Sequence, residues 1–213
     1  MAKDLVNYPS FCTFALMNNI QWSENVIIAD AALVDRVAFD LIVNFERMLE
    51  RRIPQADMAK WVECIALDGG LRNGEHQTTV ILTHDKEMTA MKNFVPGQFS
   101  EELDGKAFKG NLGEFCFSTP NGEGFVDKDS LFLDTLQTVM QQKEVKRVMV
   151  IPEESLYNNV RDIVRKAEDD LKRVTVFAMQ PMTGGGFCQE ILGYSLMAAL
   201  GIRGDELEVG VKS

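Results

Sequence analysis

Apolar residues follow two spacings along most of this chain, one typical of buried strands and one typical of amphipathic helices. Short β-branched blocks, such as residues 25–29 and 77–83, predict strands that are covered on both faces. Residues 34–49 and 128–142 carry apolar side chains at steps of three and four, which predicts helices. Because strands and helices alternate, we expect an α/β fold in three layers, with a mostly parallel central sheet between two layers of helices.

Three segments depart from this alternation within a single predicted domain, residues 1–213. Residues 1–24 are rich in aromatic and large aliphatic side chains, so we expect an N-terminal arm that packs on the domain or on a second copy. Residues 86–112 show no sustained period and contain proline and several glycines, which predicts an irregular excursion. Residues 202–213 are expected to form a C-terminal tail.

The composition is that of a globular protein. Hydrophobic residues make up 46% of the chain and charged residues 25%, which is enough apolar material for a core. No apolar run reaches the roughly 20 residues that span a bilayer, and the N-terminal residues lack the basic and apolar blocks of a secretory signal. We therefore expect no membrane association and a cytoplasmic location.

Charge and residue counts narrow the classes of function. The net charge of -10 repels a polyanion at long range, so RNA is a partner that the charge disfavours unless bound cations or a basic patch reverse the field. The four cysteines show no CxxC spacing, which gives no support for a zinc or redox site. Only two histidines are present, which disfavours a catalytic triad or a metal site built from histidines.

Acidic residues stand at points that a parallel sheet brings to one edge. Asp30 closes an early predicted strand, and Asp127 opens a predicted helix. Glu153 and Glu154 close the strand that follows this helix. The carboxyl ends of parallel strands form the functional edge of open α/β sheets. Carboxylates gathered there, with no neutralising cation from the protein, predict a divalent metal site.

Each of these acids also has a structural interpretation. An aspartate directly before a helix, such as Asp30 or Asp127, is typical of a cap that accepts hydrogen bonds from the first free amides. Glu153 and Glu154 complement the dipole of the helix that follows them. Considered one at a time, the acids favour the structural interpretation. Their expected position together at one edge of the sheet is what favours a metal site.

Two weaker motifs lie at predicted strand ends. His84 and Asp85 follow a strand and have the chemistry of a general base at the same edge, but a surface turn is the favoured interpretation. Residues 183–186 read Thr-Gly-Gly-Gly before a predicted helix. They have the backbone freedom to hold a phosphate, but they lack the P-loop ending, so a flexible connection is the favoured interpretation.

The order of elements and acids resembles the NYN domain, a branch of the PIN-like ribonuclease fold. Residues 26–33 are similar to that family's first strand, which ends in an aspartate. Residues 123–136 are similar to its third acidic element, where an aspartate precedes a helix that bears a further aspartate; Asp127 and Asp134 hold these positions. Residues 146–151 resemble the strand before the family's last acids.

The resemblance implies a metal-dependent phosphodiesterase that acts on RNA. Asp30, Asp127 and one of Glu153 or Glu154 would be catalytic and would hold Mg²⁺ or Mn²⁺, ions that prefer carboxylate oxygens. Such a metal lowers the pKa of a bound water and stabilises charge at phosphorus. Asp134, two helical turns beyond Asp127, would complete the metal site by orienting a water.

The resemblance covers roughly residues 25–180, and the chain departs from the family at two points. The family's last acidic segment reads Ser-Gly-Asp-Ser-Asp, whereas residues 151–155 read Ile-Pro-Glu-Glu-Ser. The asparagine that often follows the first aspartate is replaced by Ala31. These departures favour an alternative, in which the domain is catalytically inactive and serves protein interaction or small-ligand binding.

Overall fold

The computed structural model describes residues 6–7, 22–122, 127–167, 172–182 and 187–209. Its strands, in chain order, are β1 (Val6–Asn7), β2 (Asn25–Asp30), β3 (Ala56–Asp57), β4 (His76–Thr83), β5 (Phe94–Val95), β6 (Lys106–Gly110), β7 (Gly113–Ser118), β8 (Arg147–Ile151), β9 (Arg173–Ala178) and β10 (Cys188–Ile191). Its helices are α1 (Ala31–Leu49), α2 (Met58–Asp68), α3 (Lys128–Gln141), α4 (Tyr157–Lys166), α5 (Leu192–Ala199) and α6 (Gly204–Val209).

One sheet contains eight of these strands, in the order β1-β6-β7-β4-β2-β8-β9-β10. The strands from β7 to β10 in this order run parallel. At one side β6 pairs antiparallel with β7, and β1 pairs antiparallel with β6. Numbered along the chain, the parallel strands lie in the order 3-2-1-4-5-6, that of a doubly wound Rossmann-type sheet. The order reverses between β2 and β8, and such sheets hold their ligand crevice outside the carboxyl ends at this switch point.

Both faces of the central strands are buried. In β2, Ile27 and Ala29 pack on the side of α1, α2 and α5, whereas Val26 and Ile28 pack on the side of α3 and α4. All four side chains are fully buried. This double burial explains why the strand is a continuous apolar run rather than an alternation. The predicted three-layer α/β fold with a mostly parallel sheet is confirmed.

The predicted excursion at residues 86–112 contains more regular structure than expected. It includes β5, a π-helical turn (Phe99–Leu103) and β6, which pairs antiparallel with β7. The connection from β6 to β7 reaches Gly113, whose φ of 110° is accessible to glycine at little cost. The predicted C-terminal tail contains α6, and residues 210–213 lie outside the described ranges.

Of the predicted N-terminal arm, the structure describes residues 6–7 and 22–24. β1 pairs with β6 at the edge of the sheet, and Trp22 is buried against the α3 side of the core. Residues 8–21 lie outside the described ranges, so the packing of the arm on the domain or on a second copy stays a prediction. Within the ranges that are described, no helix combines the length and apolar character that crossing a membrane requires.

Candidate functional site

Asp30 is the last residue of β2 and has no exposed surface. Its Oδ1 accepts a hydrogen bond from the Leu33 N–H at 3.0 Å, so it caps α1. Its Oδ2 accepts a hydrogen bond from the Lys128 ammonium at 2.5 Å. The helix cap and the ion pair together engage both oxygens of this carboxylate.

Lys128 is the first residue of α3, and its side chain is 15% exposed. Burial by itself would lower the pKa of Lys128, but the hydrogen bond and charge of Asp30 outweigh it, with help from Asp129 and Asp85. The net effect raises the pKa of Lys128 above its ordinary value. The carboxyl edge therefore holds a lysine cation at neutral pH.

Asp127 lies next to Lys128 and caps α3, because its Oδ1 accepts a hydrogen bond from the Ser130 N–H at 2.7 Å. That bond is the main cause that lowers the pKa of Asp127 below its usual value. The side chain is exposed to solvent. The structural interpretation of Asp30 and Asp127 as helix caps is thus confirmed.

Glu153 follows β8 and is also engaged by a protein cation. The Arg36 Nη2 donates to both of its carboxylate oxygens, at 2.9 and 3.1 Å. Glu154 opens a short 3₁₀ turn (Glu154–Leu156) ahead of α4 and is exposed. Asp134 is exposed on α3.

Three of the predicted positions do meet at one edge. Asp127 is adjacent to the lysine that contacts Asp30, and the β2–β8 register pairs Ala29 with Ile151, two residues before Glu153. The acids do not fit together as a ready metal site, because each already accepts from a protein donor. Among the described residues, no group of three or more His, Cys, Asp or Glu is spaced to hold a metal ion. The Mg²⁺ or Mn²⁺ site stays a prediction.

Sequence reasoning missed both cations at this edge. Lys128 follows directly after a residue that was singled out, and its position in the first turn of α3 was the available signal. Arg36 lies on α1, and no local pattern links it to Glu153. The predicted metal site required an edge without a neutralising charge from the protein, whereas Lys128 and Arg36 supply that charge.

His84 is buried rather than part of a surface turn. Its ring stacks on Phe99 with centroids 3.9 Å apart. Its Nδ1 lies 2.8 Å from the carbonyl oxygen of Asp85, and its Nε2 lies 3.1 Å from that of Thr119. With both nitrogens held against the backbone, this ring is not placed to act as a base at the edge. Residues 183–186 lie outside the described ranges.

A cleft of about 460 Å³ is lined by Arg36, the partner of Glu153. One wall is the first half of α1, with Arg36 and Phe39, and the other is formed by residues 87–93. Since α1 follows β2 and residues 87–93 follow β4, the cleft lies outside the carboxyl ends of two neighbouring parallel strands.

Comparison with known proteins assigns a family without an activity. No curated protein and no solved structure matches the chain. One family model, described as a family of unknown function (DUF6621), matches residues 19–207, which is most of the chain and includes every residue of the carboxyl edge discussed above. The chain therefore belongs to the family DUF6621.

Proposed function

We propose that this chain is a catalytically inactive α/β module, which binds a small ligand or a protein partner at the carboxyl edge of its sheet. The observation that carries the proposal is the ion pair between buried Asp30 and Lys128. The lysine supplies, at the switch point, the positive charge that the metal hypothesis assigns to a divalent ion. The Lys128 ammonium also occupies Oδ2 of Asp30, an oxygen that a divalent ion would need as a ligand.

A second ion pair supports the same proposal. Arg36 engages both oxygens of Glu153, the acid that takes the place of the NYN family's last aspartates. At this edge Asp30 and Glu153 are thus each paired with one protein cation. Within each of these two pairs the charge is balanced without an added ion.

Thermal melting with Mn²⁺ tests this proposal. Because binding to the native state raises the melting temperature by mass action, we expect no rise for the wild type beyond that of an ionic-strength-matched NaCl control. The same result is expected for Asp127→Asn. A rise that depends on the Mn²⁺ concentration in the wild type, and that Asp127→Asn abolishes, would contradict the proposal.

The second candidate function is an NYN-type, divalent-metal-dependent RNA phosphodiesterase. It is favoured by one observation, the juxtaposition of Asp30, Asp127 and Glu153 at the switch point. The test is cleavage of a mixed-sequence RNA by the wild type, Asp30→Asn and Asp127→Asn. Cleavage that is lost in both aspartate variants, while their circular dichroism is unchanged, would establish this candidate in place of the first.

A cytoplasmic location and a homo-oligomer formed through residues 1–24 complete the proposal. The apolar composition of this segment supports the second point. Light scattering of the intact chain and of a variant lacking residues 1–21 tests the oligomer. A monomer for the intact chain over the micromolar range would remove it.

A further inference from the structure

We propose that the cleft between α1 and residues 87–93 binds a small molecule that carries a phosphate next to an aromatic ring, the chemistry of a nucleoside monophosphate. This inference rests on the proposed function, since it names a ligand class for the binding module. The cleft volume of about 460 Å³ falls within the range of small-molecule sites. The cleft lies outside the carboxyl ends of β2 and β4, on the edge of the sheet where open α/β folds bind ligands and next to the switch point between β2 and β8.

Two cations of the cleft retain hydrogen-bond donors for an anion. The Arg36 side chain is 56% exposed, and within the described part of the chain only its Nη2 donates to a protein acceptor. Its Nε and Nη1 are left for a ligand. Lys92 is exposed, and its ammonium has no acceptor among the described residues. Guanidinium and ammonium groups bind phosphate oxygens through charge-assisted hydrogen bonds.

Phe39 supplies the surface for a ring. It lines the cleft with 53% of its surface exposed, which is a large exposure for an aromatic side chain. Met88 lines the opposite wall and is half-buried. A planar base that stacks on Phe39 removes apolar area of both groups from water. Arg36 and Phe39 are three residues apart on α1 and share one helical wall, whereas Lys92 belongs to the other wall.

Two acids, Asp35 and Glu87, also line the cleft. Neither cancels the attraction of the cleft's cations for a phosphate. Asp35 is used to hold residue 93, because its Oδ1 accepts from the Asn93 N–H at 2.8 Å and its carbonyl accepts from the Asn93 Nδ2 at 3.1 Å. Glu87 is exposed, where salt screens its charge.

Glu153 competes with the ligand for Arg36. A phosphate that binds the guanidinium has to share or replace the carboxylate that now contacts Nη2. Removing the charge of Glu153 therefore leaves Arg36 more available. This predicts that Glu153→Gln strengthens binding, whereas a general loss of structure would weaken it.

The test is calorimetric titration of the full chain with AMP, adenosine and inorganic phosphate, in EDTA. We expect saturable AMP binding, with adenosine and phosphate each weaker by roughly tenfold because each lacks one half of the recognition. Arg36→Gln, Lys92→Gln and Phe39→Leu should each weaken AMP binding by about fivefold or more, and Glu153→Gln should strengthen it. Arg47→Gln, which removes one exposed charge from the same helix outside the cleft, is the matched control and should stay within about twofold.

Absence of saturable AMP binding to the wild type would overturn this inference. Equal weakening by Arg36→Gln and Arg47→Gln would also overturn it, because the attraction would then be non-specific. The Mn²⁺ melting experiment is independent of this result, since the titrations contain EDTA. If Mn²⁺ raises the melting temperature and AMP still binds, the proposed function is wrong and the AMP site in the cleft stands. If Mn²⁺ has no effect and AMP does not bind, only the AMP site is wrong.

Discussion

The Lys128 ammonium lies 2.5 Å from the carboxylate of Asp30 and joins the start of α3 to the end of β2. Asp30 is fully buried, whereas the lysine retains a small exposure. The pair therefore holds the crossover helix at the point where the order of the parallel strands reverses. It differs in kind from the exposed ion pairs elsewhere on the molecule.

Breaking this pair from the lysine side should be costly. We expect Lys128→Ala to lower the free energy of unfolding by about 3 kcal/mol, because it leaves a buried carboxylate without its cation. The double variant Asp30→Asn/Lys128→Met should lose less than the sum of its two single changes, since the second change relieves the first. Urea unfolding of the wild type, Asp30→Asn, Lys128→Met and the double variant measures this coupling.

An exposed pair serves as the control for that experiment. Lys146 and Glu24 are 3.0 Å apart, and their side chains are 68% and 38% exposed. Lys146→Ala should cost less than about 1 kcal/mol, as exposed pairs do. Similar small losses for Lys128→Ala and Lys146→Ala would contradict a special role for the buried pair.

Alkaline pH should weaken the wild type through Lys128. Its pKa in the folded protein is raised above the ordinary value of 10.5. A base whose pKa is raised contributes stability that is fully present below the ordinary value and is lost as pH rises through the folded value. As pH rises through the folded pKa of Lys128, the wild type should therefore lose more stability than Asp30→Asn/Lys128→Met does. Urea midpoints at neutral and strongly alkaline pH compare the two, and identical losses would be contrary evidence.

Gly113, at the start of β7, should not tolerate a side chain. Its φ of 110° is strained for other residues, and a Cβ there would overlap the backbone of His76. We expect Gly113→Ala to destabilise the protein by roughly 2 kcal/mol or more. Gly204→Ala is the matched control, because a Cβ at Gly204 meets nothing within 4 Å. Thermal melting distinguishes them, and equal melting temperatures would count against this account.

Acid pH should loosen α6 from the end of α1. The Arg51 Nε and Nη2 each lie 3.0 Å from one oxygen of Glu206. The hydrogen bond from Arg51 is the main cause that lowers the pKa of Glu206 below the ordinary value of 4.5. The contribution of an acid whose pKa is lowered is present above the ordinary value and is lost as pH falls through the folded value.

Hydrogen exchange of residues 204–207 measures this attachment. Protection should fall in the wild type below the ordinary glutamate range, and Arg51→Gln should show reduced protection already at neutral pH. Arg52→Gln is the control, because the Arg52 side chain is 95% exposed in its pair with Glu46. Unchanged protection in Arg51→Gln would show that this pair does not hold the helix.

The sequence predicted the strands that are buried on both faces and missed those that depend on a neighbour. β2, β4 and β8 are apolar runs whose composition indicates a strand in any context. β6 reads Lys-Ala-Phe-Lys-Gly and β10 reads Cys-Gln-Glu-Ile, without such a run. Their extended structure follows from pairing with β7 and β9, and that pairing is a property of the folded chain.

At the carboxyl edge, too, the sequence determined some features and the tertiary structure decided others. Its position, and the roles of Asp30 and Asp127 as helix caps, were determined by the sequence alone, because strand direction and cap chemistry are local properties. Only the tertiary structure decided which groups neutralise the acids there. Lys128 is 98 positions from Asp30, and Arg36 is 117 positions from Glu153. Charge pairing depends on distance in space, so partners this far apart along the chain leave no pattern to detect until the sheet has brought them together.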